Sequence, residues 1–251
     1  MTKTVYFIAG ASRGIGLEVA TQLSANPDNY VIGSYRTEKT AGALLELAKK
    51  ENVDTVVLDI GSQGSIEALP AQISKLTDGI DITLINAGIA YSMYSIFECS
   101  RETFIDHWTT NSLGPIMLYK EIHQFMLKRE TRKVFFMSSG GGSIQSLLPI
   151  STSAYGMSKA ALNYAVRKLS DECYKDNFTI VMLHPGVVAT DMGRETTKIM
   201  ANGNAQIISY IESISLPPAT SAAQTIGAMQ ALDKQSNGRF IGVADQFDIP
   251  F

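Results

Sequence analysis

Thr4-Val5-Tyr6-Phe7-Ile8-Ala9-Gly10-Ala11-Ser12-Arg13-Gly14-Ile15-Gly16 is the stretch that decides the fold. Its apolar run Val5–Ala9 is the mark of a strand buried on both faces of a parallel sheet. Glycines then allow a tight turn and a close backbone approach to a pyrophosphate. The helix that follows offers unpaired N–H groups and the positive end of its dipole to such an anion. A glycine triplet alone is weak evidence. Between a first strand and a first helix it predicts a dinucleotide site built from Gly10, Ser12, Arg13, Gly14, Ile15 and Gly16. A glycine-rich turn without a ligand is the competing reading.

The same alternation continues outward. Candidate strands are Thr4–Ala9, Tyr30–Ser34, Thr55–Leu58, Ile82–Ile85, Val134–Met137, Thr179–Leu183 and Phe240–Val243. Candidate helices are Gly14–Ser24, Glu38–Lys50, Ser65–Lys75, Arg101–Leu127, Ala154–Tyr174 and Ala219–Leu232. Strict alternation of this kind implies right-handed crossovers with helices on both faces. The expected fold class is α/β: one domain over residues 1–251, with a doubly wound parallel seven-stranded sheet. Gly140–Ser153 and Gly186–Pro218 interrupt the alternation. Both leave the carboxyl edge of the sheet, where ligands bind in open α/β folds.

Composition narrows the function further. The 251 residues are 45% hydrophobic and 18% charged, with a net charge of −3. That argues against disorder and gives no support for a nucleic-acid partner. Cys99 and Cys173 lie far apart, so neither a disulfide scaffold nor a thiolate metal site is expected. His107, His123 and His184 show no ligand spacing, so no metal is predicted. No apolar run is long enough to span a membrane. The expectation is a soluble cytoplasmic protein.

An acidic residue about 20 positions past the last glycine would bind the ribose hydroxyl of NAD, whereas an arginine there suits the phosphate of NADP. That position holds Arg36, with Arg13 in the glycine loop as a second guanidinium. Two such groups match a phosphate dianion in charge and geometry, so the predicted cofactor is NADP(H).

These residues, with four further motifs, resemble the short-chain dehydrogenases/reductases over nearly the whole chain. The glycine loop is similar to that family's, with Ala9 where Thr is usual. The lost hydroxyl normally braces the loop, so slightly softer cofactor binding is expected. Leu58-Asp59-Ile60 resembles the adenine contact, and Asn86-Ala87-Gly88 the motif after the fourth strand. Tyr155-Gly156-Met157-Ser158-Lys159 resembles the catalytic motif. His184-Pro185-Gly186-Val187, with Val188 and Thr190, resembles the segment that holds the nicotinamide carboxamide. The resemblance implies a Rossmann fold. Within the family the likeness is to small carbonyl-reductase-like members, described as sniffer-like, C-factor-like or fungal benzil-reductase-like.

Tyr155 and Lys159 stand four apart, on one helix face. A nearby ammonium stabilises a phenolate, so the lysine is expected to draw the tyrosine pKa towards neutrality. Tyr155 would then serve as general acid. The resemblance further implies that Lys159 bonds the nicotinamide ribose and that Asn111 holds a water relaying protons through Lys159. It also implies a serine that polarises the substrate carbonyl. Ser139 ends the fifth strand, 16 positions before Tyr155, a longer spacing than many members have. The commoner spacing points to Gly142, which has no hydroxyl, and Ser143 is one residue beyond. Ser139 is preferred, with Ser143 as the alternative.

Tyr91, Met93, Tyr94, Phe97, Ile144, Leu147, Leu148, Pro149, Met192, Ile199 and Met200 are expected to line the substrate pocket. They carry no charge, which implies an uncharged ketone, diketone or aldehyde reduced to the alcohol. The competing functions are a non-catalytic NADP(H)-binding regulator, a secondary-alcohol dehydrogenase or a biosynthetic ketoreductase. The partner is a small-molecule carbonyl compound, with a homodimer through the two long helices as an option the family implies.

Overall fold

The computed structural model describes residues 3–148 and 150–251; Pro149 of the expected pocket wall lies outside them. Seven strands form one parallel sheet: β1 Thr4–Ala9, β2 Asn29–Tyr35, β3 Val53–Val57, β4 Ile82–Ile85, β5 Lys133–Met137, β6 Thr179–His184 and β7 Phe240–Gly242. The order is β3-β2-β1-β4-β5-β6-β7. The winding reverses between β1 and β4, so the connections after those strands diverge to opposite faces and leave a crevice.

Period-two alternation divides the core. Val134 and Phe136 of β5 enter one apolar cluster, with Leu118, Ile122, Leu162 and Val166 from the helices above. Phe135 and Met137 enter the other, with Val19, Leu23 and Met229. The covering helices are α1 Gly14–Leu23, α2 Gly42–Leu47, α3 Gln63–Glu67, α4 Leu69–Ile73, α5 Arg101–Trp108, α6 Gly114–Leu127, α7 Ser153–Glu172, α8 Asp191–Ala201, α9 Ala205–Ile214 and α10 Pro218–Ala231. Among the described residues no helix is long and apolar enough to cross a membrane.

Three predicted helices and one predicted loop are revised. The expected Glu38–Lys50 helix is a 3-10 turn, Glu38–Thr40, followed by α2. Thr40 returns both its N–H and its hydroxyl to the Thr37 carbonyl, a local alternative to helix that Ser and Thr readily take. The expected Ser65–Lys75 helix divides at Ala68, because Pro70 disfavours helical backbone before it. Gly186–Pro218 is not a plain connection but holds α8 and α9.

The third revision matters for function. Arg101–Leu127 is not one regular helix. A π-helical turn, Thr109–Leu113, separates α5 from α6. Pro115 has no N–H to return to the carbonyl four residues back, which is that of Asn111, so the ladder opens there. Gly114 lies at the same place against β3's outgoing chain, and a Cβ on it would overlap the Ile60 carbonyl oxygen. Gly114→Ala is therefore expected to lower the unfolding free energy by about 2–3 kcal/mol. Gly42→Ala, with open space around the added carbon, is expected to leave it unchanged or raise it by up to ~1 kcal/mol. Urea unfolding of the two variants checks this, and equal effects would contradict it.

Candidate active site

At the switch point the glycine turn is fastened from both neighbouring strands. Gly10 and Gly14 have φ of +84° and +58°, the left-handed region that suits glycine. The Gly10 N–H donates to the Ser34 hydroxyl at 2.9 Å, and the Gly10 carbonyl accepts from the Asn86 side-chain amide at 2.9 Å. Asn86 and Ala87 both donate their backbone N–H to the Ala9 carbonyl. The brace expected to be missing with Ala9 is thus supplied by Ser34 and Asn86. Asn86 works on the turn itself through its side chain. Gly16 is a packing glycine, since a Cβ there would overlap the Gly10 carbonyl and stand 2.8 Å from the Asn86 amide.

A cavity of about 530 Å³ opens beside this turn. Of the predicted residues, Gly10, Ser12, Arg13, Gly14, Ile15, Arg36, Asp59, Ile60, Asn86, Ala87, Gly88, Tyr155, Lys159, Pro185 and Thr190 line it. Gly16, Asn111, Ser139, Gly186 and Val188 do not. Val188 instead forms a short parallel bridge with Leu216, behind the lining. Among the described residues of the expected substrate wall, only Met192 lines the cavity. Met93 is buried, while Tyr91, Tyr94, Phe97, Ile144, Leu147 and Leu148 are exposed. Ile199 and Met200 are half-buried on α8.

Sequence reading missed Tyr35, Leu58 and Met137 as lining residues. Each ends or directly follows a strand at the carboxyl edge, which was a usable signal. It also missed Asp191, which lies 3.9 Å from Arg13 and 2.7 Å from Arg194 and links the glycine loop to α8.

The cavity fits a dinucleotide. The glycine turn leaves a cradle that a Cβ at Gly10 would close, meeting Ala87 backbone at 2.8 Å. No acidic side chain occupies the first turn of α1, where a phosphate would meet the helix dipole.

The inner end of the cavity holds Tyr155 and Lys159, both from α7. Lys159 is buried and donates from Nζ to the Met137 carbonyl at 2.8 Å. Loss of water pushes its pKa down to about 8. Burial pushes the Tyr155 hydroxyl up, and a hydrogen bond from Ser139 pulls it partly back. The net shift of Tyr155 is upward, against the expected lowering, because burial is the largest effect on it. Lys159 Nζ lies 5.9 Å from the Tyr155 ring centroid, with one of its three N–H donors on the Met137 carbonyl.

Asn111 sits in the π turn and is fully buried. Its Oδ1 accepts the Ile89 N–H at 2.8 Å, and its Nδ2 donates to the Ile89 carbonyl and the Ser158 hydroxyl. Both amide protons are therefore committed to protein. Ser158 in turn donates to the Tyr155 carbonyl at 2.7 Å. The Asn111 carboxamide thus fixes the connection after β4 against the helix that carries Tyr155.

The two candidate serines separate clearly. Ser139 stands two residues past β5 beside Tyr155, and its Oγ accepts the Gly141 N–H at 3.1 Å. Gly140 donates to His184 Nδ1 at 3.2 Å, which steadies the same turn. Ser138, which sequence reading did not assign to the site, is in the cavity lining, but its hydroxyl is committed to Asn163, to which it donates at 2.6 Å. Ser143 is buried away from Tyr155 and donates to the Pro250 carbonyl at 2.6 Å.

Comparison with known proteins agrees with this geometry. The family described as short chain dehydrogenase matches residues 4–201. An uncharacterized oxidoreductase of Schizosaccharomyces pombe is 37% identical over 240 residues, covering 95% of each chain. The carbonyl reductase Sniffer of D. melanogaster superposes with a TM-score of 0.86 at 28% identity, covering 100% of both chains. An NADPH-bound carbonyl reductase from chicken fatty liver gives a TM-score of 0.87 at 25% identity, covering 100% of this chain and 96% of that one. With its parallel sheet, braced glycine turn and Tyr–Lys pair at the carboxyl edge, the chain belongs to the short-chain dehydrogenase family of oxidoreductases.

Proposed function

We propose that the protein is an NADPH-dependent carbonyl reductase acting on uncharged ketones, diketones or aldehydes. The observation that carries this reading is one cavity with Tyr155 and Lys159 at its inner end and the guanidinium groups of Arg13 and Arg36 in its lining. The likeness to an NADPH-bound carbonyl reductase supports it. A bound reduced nicotinamide dinucleotide supplies the hydride. Arg13 and Arg36 receive the phosphate that distinguishes NADP, while the α1 N-terminus and the glycine turn receive the pyrophosphate.

Ser139 and Tyr155 hold the substrate oxygen. The Ser139 hydroxyl polarises the carbonyl, and Tyr155 gives its phenolic proton to that oxygen as the carbon gains the hydride. The product is the alcohol, and Tyr155 is left as phenolate. Burial keeps Tyr155 protonated beforehand, which is the form an acid needs. Lys159, charged below its pKa of about 8 and 5.9 Å from the Tyr155 ring centroid, then offsets part of the new negative charge. Asn111 acts by holding Ile89 and α7 in register. In the connections after β4 and β5, exposed Tyr94, Ile96, Phe97, Ile144, Leu147 and Leu148 offer an apolar, uncharged surface, which favours a bulky apolar substrate.

Three outcomes follow from these roles. Tyr155→Phe keeps the ring but removes the proton, so NADPH binding is expected to survive while turnover falls by about 10²–10⁴-fold. A binding-only regulator would show no turnover in either form. Arg36→Ala is expected to weaken NADPH by roughly 10–100-fold and NADH by little, because a charge-assisted bond contributes about 1.5–3 kcal/mol. Equal losses for both cofactors in titration would contradict the phosphate-reading role. The pH profile follows from Lys159, whose lowered pKa means that the ammonium is present below about 8 and lost above it. Initial rates of ketone reduction at saturating NADPH should be flat below that value and fall above it. A plateau extending to pH 10 would contradict the role given to the ammonium.

A further inference from the structure

The connection from β5 to α7 is longer than the Ser139–Tyr155 chemistry needs, and the structure shows what holds the excess. Its first part is fastened next to Tyr155 and Lys159. Gly142 packs on Lys159, where a Cβ would meet the lysine backbone carbon at 2.8 Å, and its carbonyl accepts from Asn163. Its far end is tied by the Ser153 N–H to the Tyr94 carbonyl at 3.4 Å. Between these anchors the described residues form no sheet or helix of their own.

A separate segment supplies the missing support. Residues 246–251 return antiparallel along β7: the Gly242 N–H donates to Phe247, the Ile249 N–H to Phe240, and Ile241 bridges Asp248. Arg239 pairs with Asp248 at 2.8 Å, and the Phe251 ring lies 6.2 Å from that of Phe240. The free carbonyls of this segment face the β5–α7 connection. Ser143 Oγ donates to Pro250 at 2.6 Å while accepting the Ser146 N–H at 2.9 Å, and the Gln145 N–H donates to Phe251 at 2.8 Å. Ser143 is 2% exposed, whereas Ile144 and Leu147 beside it are 76% and 80% exposed. A buried polar hinge therefore presents apolar side chains outward, next to the turn that carries Ser139.

We propose that Ser143 is a specificity-determining positioning residue: by pinning the Ser143–Ser146 turn to Pro250 and Phe251, it fixes the apolar Ile144–Leu148 wall that selects bulky substrates. The inference rests on the carbonyl-reductase reading and assigns Ser143 no contact with the reacting atoms. A wall held in one place gains apolar contact with a large substrate at little ordering cost, and a loose wall must be ordered on binding. A compact substrate that never reaches the wall is indifferent to it.

The experiment uses the whole chain with NADPH, and compares benzil with compact 2,3-butanedione in the wild type, Ser143→Ala, Ser143→Thr and Asp248→Asn. Ser143→Ala should raise the KM for benzil by about tenfold, within the range that apolar pocket contacts discriminate. Its kcat, its NADPH affinity and both constants for butanedione should stay within about twofold of wild type on the same grounds. Ser143→Thr, which keeps the hydroxyl, should restore the benzil KM. Asp248→Asn, an exposed change that loosens the return segment, should raise it partway. Faster hydrogen exchange at Gln145 and Ser146 in Ser143→Ala should accompany the KM change. Equal losses for both diketones and for NADPH would reveal a purely structural serine and overturn the proposal. So would a benzil KM that does not move while the wild type turns over. Absence of any carbonyl turnover in the wild type would overturn the carbonyl-reductase reading, and this inference with it.

Discussion

The fastening of one tight turn governs the rest of the molecule. Gly10 must carry a left-handed backbone to turn the chain from β1 into α1, and its N–H and carbonyl would otherwise be left without partners at the sheet edge. Ser34 satisfies one and Asn86 the other. Those partners come from β2 and from the residue after β4, the strands flanking β1, so the bracing of the turn depends on the sheet order. The fold and the cofactor cradle are thus two consequences of one set of hydrogen bonds. The crevice at the switch point follows, because the chain leaves β1 and β4 towards opposite faces.

A second constraint sets the chemistry. Tyr155 is half-buried and Lys159 buried in the cavity lining, and desolvation acts on them in opposite directions. It holds the phenol protonated and makes the ammonium easier to lose. In the reaction proposed here the acid is thereby ready and its counter-charge sits on the edge of titration. The geometry is kept by polar side chains that touch no substrate. Asn111 joins the connection after β4 to Ser158 on α7, and His184 holds Gly140 next to Ser139. Asn111 can do so because Pro115 opens the helix at its carbonyl and the π turn delivers its side chain inward.

Much of this was legible in the chain. Apolar runs located every strand, because most are buried on both faces, although the edge strand β3, with Asp54 and Thr55, starts two residues before its run. Gly10, Arg13, Arg36, Tyr155 and Lys159 could be placed because each lies within a few residues of a strand end or helix start. Local competition was harder to read. Pro70 and Gly114-Pro115 stand in otherwise helical stretches and were absorbed into them, although each marks a break in the backbone ladder. Contacts between distant residues were beyond reach. Nothing near Ala9 announces that Ser34 replaces the brace, and nothing near Ser143 announces Pro250 as its partner. The substrate wall was over-read for a related reason. Apolar residues after β4 and β5 were assigned to the cavity, yet Phe97 is 100% exposed, and only the folded chain separates lining from mouth.

The central claim is that this site moves a hydride onto a carbonyl carbon while Tyr155 protonates the oxygen. Isotope tracing tests it most directly. NADPH deuterated at one or the other position of nicotinamide carbon 4 is incubated with the protein and an aryl ketone, and the alcohol is analysed by mass spectrometry. The account predicts that one of the two labelled cofactors delivers deuterium to the carbinol carbon and the other delivers none. An alcohol without deuterium from either cofactor, or bound NADPH that is never oxidised, would contradict it.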